Sequence, residues 1–115
     1  MEASELRIGN YVRGASRGEI TKVTSGIITL LDERRGVYNP IELTEEWLEK
    51  HGFEYDEEVK TFDLLYSLTK YDFCFTIHHH DNEFYLLMND KRIWINYIHE
   101  LQNLFFAIIG EELLN

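Results

Sequence analysis

Residues 93–113 read IWINYIHELQNLFFAIIGEEL. The stretch predicts a strand, then a helix with Asn96 as N-cap, then a stop at Gly110, which suits a left-handed C′ position. Ile98, Leu101, Leu104, Phe105 and Ile108 recur at helical spacing and form one apolar stripe. Such a stripe needs a sheet or another helix to cover. His99–Glu100 and Gln102–Asn103 interrupt it with polar side chains. His99 and Asn103 are one turn apart and share a face. A histidine beside an amide could serve acid–base chemistry. No serine or cysteine nucleophile is tied to the pair by motif, so the preferred reading makes both anchors that hold the helix to a sheet.

Working back from the helix, side chains alternate at period two. Phe62, Leu64, Tyr66 and Leu68 share one face, and Tyr71, Phe73, Phe75 and Ile77 share another. Asp81-Asn82 and Asn89-Asp90 mark turns before residues 84–88 and 92–95. Four strands with short connections predict an antiparallel meander. One of its faces is rich in aromatics, and the C-terminal helix is expected to roof it.

Upstream of the meander, Thr44 is a good N-cap, with Glu45 and Glu46 in the first turn. Leu43 and Leu48 fit a hydrophobic staple, and Gly52 suits C′. A two-turn helix over residues 45–51 is expected to bury Trp47 and Leu48 and to expose an acidic face. The first forty residues read as short strands joined by glycine turns. They include 19–24, 26–31 and the region of Val37-Tyr38, and suggest a small bent sheet or partial barrel. The expected fold class is therefore α+β in a single domain. Its subregions are N-terminal strands (1–41), a short acidic helix and loop (42–58), and a meander with a C-terminal helix (59–115).

The net charge is −10, and it is unevenly spread. Residues 1–41 sum to +1, residues 42–58 to −7 and residues 59–115 to −4. Nucleic-acid binding draws its affinity from Lys and Arg on phosphates, so this balance argues against it. The best basic patch is Arg7, Arg13, Arg17, Lys22, Arg34 and Arg35, and scattered bases of this kind usually form a solvated face. No apolar run approaches the roughly 20 residues that span a bilayer. The start, MEASELRIGN, lacks the apolar core of a secretory signal. A single cysteine, Cys74, forms no intrachain disulfide and fits a reducing cytoplasm.

Three segments carry a family likeness: Glu5 to Val12 (ELRIGNYV), Ile41 to Leu48 (IELTEEWL) with Gly52-Phe53, and Tyr97 to Leu104 (YIHELQNL). Through them the chain resembles a family of short, uncharacterised proteins encoded by phages and integrated mobile elements of gut-type bacteria. The family's last helix ends in a Tyr-Phe-Ala-Leu-Thr-Gly-Glu-Glu-Leu-like run. Here the same place holds Phe105-Phe106-Ala107-Ile108-Ile109-Gly110-Glu111-Glu112-Leu113, without either hydroxyl. The resemblance implies an origin and an approximate fold, but no reaction and no catalytic residues.

Chemistry-bearing clusters are few. His78 and His80 share a strand face with Cys74 and Thr76 and could bind zinc or a softer metal. Metal sites, however, gather ligands from separate elements and orient them through further contacts. Glu54, Asp56, Glu57 and Glu58 form a charge run without the spread over several strands that a metal-dependent nuclease centre needs. Arg34, Arg35 or Lys91-Arg92 could hold phosphate if the domain sequestered a nucleotide. The leading expectation is a non-enzymatic protein with no cofactor that binds a basic host or phage protein. Glu42, Glu45, Glu46, Glu49, Asp56, Glu57 and Glu58 would form the contact surface, and Trp47, His99 and Asn103 would act as structural anchors. Leu65, Leu87, Ile109 and Leu114 lie off the core stripes and would form a homodimer patch if exposed together.

Overall fold

In a computed structural model of the chain, residues 3–14, 18–32, 38–67 and 72–113 are described. The architecture is α+β, with two antiparallel sheets and three helices among the described residues. The chain divides into two compact units, one joining residues up to Glu42 with Tyr97–Leu113 and the other spanning Leu43–Asn96. The linear division at residue 59 is therefore replaced by one in which the C-terminal helix returns to the N-terminal strands.

The first unit holds strands β1 (Tyr11–Gly14), β2 (Ile20–Lys22) and β3 (Tyr38–Asn39) in the order β2-β1-β3. It also holds helices α1 (Ser25–Asp32) and α3 (Ile98–Ile109). Residues 26–31, expected as a strand, are helical in α1. Thr24 caps this helix by accepting the Ile27 N–H at 3.3 Å. Ile27 and Leu31, one turn apart, turn their side chains toward a core of Leu6, Val12 and Val23. That burial outweighs the weak strand preference of Ile27, Ile28 and Thr29.

α3 begins one residue later than expected. Tyr97, not Asn96, has the extended cap backbone, and Glu100 reaches back to accept the Tyr97 N–H at 3.1 Å. Gly110 ends the helix at φ +84, the left-handed conformation only glycine adopts cheaply. Ile98, Leu101 and Phe105 are fully buried, and Leu104 and Ile108 half-buried.

The second unit holds α2 (Glu45–Lys50) and five strands in sequential order: β4 (Glu54–Asp56), β5 (Thr61–Ser67), β6 (Asp72–His80), β7 (Glu83–Met88) and β8 (Lys91–Ile95). The meander thus has one strand more than expected. β4 is three residues long and exposed throughout, so it carries no periodic signal. Asp81-Asn82 and Asn89-Asp90 all have positive φ, the twist that two-residue hairpins require.

The apolar face of this sheet carries Phe62, Phe75, Ile77, Phe84, Leu86 and Ile95, all buried. The short helix lies against part of this face. Phe53, just past α2, meets the Phe75 ring edge-on at 6.2 Å, and Glu45 of α2 lies 3.4 Å from His79 on the same face. α2 itself is capped as expected, with Thr44 accepting the Trp47 N–H at 3.3 Å and Gly52 at φ +91. Leu48 is buried, but Trp47 is only half-buried, so its anchoring role is correspondingly partial.

Candidate functional site

The polar residues of α3 build an internal network in the first unit. Asn103 donates to the Glu5 carbonyl at 2.9 Å and accepts from Asn10 at 2.9 Å and from Arg7 at 3.0 Å. Gln102 accepts the Tyr11 N–H at 2.9 Å and donates to the Gly9 carbonyl at 3.3 Å. Asn10 also accepts the Arg7 N–H at 2.6 Å. The Arg7 guanidinium pairs with Glu112 and lies 4.0 Å over the Phe106 ring. Asn103 thus ties α3 to residues 5–10. Gln102, from the same polar interruption of the stripe, and Asn10 share that work; Asn10 carries no signal in the sequence, because an amide's partner is invisible until the chain is folded.

His99 is placed differently. It is 2% exposed and its Nδ1 has no hydrogen-bond partner. Its ring lies parallel to Tyr97 at 5.8 Å. Burial pushes the imidazole below its ordinary value of 6.5, against the opposing pull of Glu100 and Glu5. His99 therefore anchors by packing rather than by bonding loop backbone through Nδ1.

The three consecutive histidines do separate jobs. His78 stacks on Tyr85 at 5.0 Å, His79 faces Glu45, and His80 lies 3.1 Å from Asp81. Cys74 is exposed, with its sulfur 3.5 Å from the Thr76 hydroxyl. Among the described residues no three His, Cys, Asp or Glu side chains gather as a metal site. Arg17, Arg34 and Arg35 lie outside the described residues, as do Leu114 and the side chain of Leu65. Leu87 is exposed and Ile109 half-buried.

The acidic sector divides. Glu42 belongs to the first unit, where it bridges Tyr97. Glu45, Glu46 and Glu49 are exposed on α2, with Glu46 3.9 Å from Lys50. Asp56 falls on the other side of the sheet, because α2 lies against the apolar face and Asp56 alternates away from it with Glu54. Register places Glu54 directly opposite Asp63, and Asp56 opposite Thr61. Glu54, Asp56, Glu57, Glu58 and Asp63 line, with Tyr55, an open depression of about 470 Å³. No ion pair among the described residues reaches these five carboxylates. Asp63 was not among the expected contact residues. Its signal was the alternation that sets it on the polar face of β5.

No protein-family profile, characterised protein or solved structure matches the chain. No helix among the described residues is long and apolar enough to cross a membrane.

Proposed function

We propose that this is a non-enzymatic accessory protein of phage or mobile-element origin that binds a basic protein, such as a host defence or regulatory protein, through the carboxylates of the β4–β5 hairpin. One observation carries the reading: Glu54 and Asp63 are direct cross-strand neighbours of like charge. Such a pair destabilises a sheet. Asp56, Glu57 and Glu58 crowd the same depression, where the Glu58 N–H donates to Asp56 at 2.9 Å but no ion pair among the described residues reaches them. A sheet that keeps this arrangement presents a ready negative field to an incoming cationic surface. The acids of α2 form a separate patch behind it.

The reading is tested by capture from bacterial lysate at low and high salt, with wild type beside a Glu54→Gln, Asp63→Asn variant. Wild type should retain a basic protein at low salt and release it at high salt, and the variant should retain none. Equal retention by both would refute the assignment to this hairpin.

A further inference from the structure

The carboxylates do not stand alone on their face of the sheet. Register carries the row from Asp56 to Thr61, His78, Tyr85 and Trp94, across all five strands. His78 and Tyr85 stack at 5.0 Å and Trp94 follows at 5.1 Å. Trp94 is 42% exposed and Leu87, on the same face of β7, 46%. Arg92 sits over Tyr85 at 5.0 Å, at the edge farthest from the acids. This face thus runs from carboxylates on β4 and β5 that no ion pair among the described residues reaches, past buried Thr61 and half-buried His78 and Tyr85, to exposed Leu87 and Trp94 and a cation on β8. Trp, Tyr and Arg are the side chains that anchor protein interfaces.

We infer that this face docks a partner segment in which Lys or Arg side chains precede bulky apolar ones. The cations meet Glu54, Asp56 and Asp63, and the apolar groups settle against Tyr85, Leu87 and Trp94. Arg92 repels a cation at the far edge and so sets the direction of the segment. From β4 to β7 is three strand spacings, about 14 Å. An extended chain covers that in about four residues. The inference rests on the acidic surface proposed above and adds the apolar half of the partner.

Two fluorescent peptides test it at low salt: Lys-Arg-Lys-Ser-Ser-Trp-Leu-Phe, and the same cations followed only by Ser. The first should bind about tenfold more tightly. Trp94→Ser, or Leu87→Ser if the former fails to fold, should reduce the first to the affinity of the second and leave the second unchanged. Equal binding of both peptides, unmoved by either variant, would overturn the inference while leaving the acidic surface intact. Binding of neither would overturn both. Trp94-dependent binding of an oligothymidylate in place of the peptides would also overturn it, because the occupant would then be a nucleic acid.

Discussion

In the first unit the amide side chains of Asn10, Gln102 and Asn103 are paired with one another and with backbone; in the second the carboxylates of the β4–β5 hairpin crowd the sheet surface with no ion pair among the described residues. Asn10, Gln102 and Asn103 spend nearly every donor and acceptor on one another and on the backbone of residues 5–11. Glu54 and Asp63 face each other in register, and no ion pair among the described residues reaches either. A buried amide network fixes one arrangement, because each lost partner leaves an unsatisfied group. A like-charge pair at the sheet surface does the reverse. It costs a little stability and leaves an electrostatic demand that a partner can meet. The contrast separates a region built for cohesion from one available for recognition.

The comparison can be broken first at the cores. Phe62, 1% exposed and packed against Tyr55, His79 and Phe84, sits in the core of the second unit, and Phe62→Ala should cost about 3–5 kcal/mol in urea unfolding. Asn10→Leu should cost about 1–3 kcal/mol, because Gln102, Asn103 and the Arg7 N–H all lose a partner. A neutral result there would mean that packing alone joins α3 to β1.

His99 sharpens the contrast through pH. Its folded value lies below the ordinary 6.5, so as the pH falls past about 6.5 the unfolded chain takes up a proton that the folded chain resists. Stability should decline over that acid range and gain nothing from His99 above pH 7. His99→Gln should remove that part of the decline. An unchanged pH profile in the variant would show that the imidazole titrates normally.

Much of this fold was legible in the chain. Thr44, Gly52 and Gly110 marked helix ends correctly because caps and left-handed sites are local chemistry. The alternation of Phe62–Leu64 and Phe75–Ile77 exposed the meander for the same reason. The failures were failures of context. Ile27, Ile28 and Thr29 look like a strand until a core at Val12 and Val23 selects a helix. The stripe of α3 showed that the helix buries one face, but not that its unit would include β1. The candidate site was half legible. Asp56, Glu57 and Glu58 stand out as a run, whereas Asp63 joins them only through strand register.

The most direct measurement reverses one charge of the cross-strand pair. Glu54→Lys replaces a repulsion with an attraction at the same positions. At low salt the variant should be more stable than wild type by about 0.2–1 kcal/mol in urea unfolding, and high salt should erase the difference. The same variant should lose the basic peptides that wild type binds. A variant that is less stable at low salt, or that still binds those peptides, would contradict the claim that this hairpin holds its carboxylates for a cationic partner.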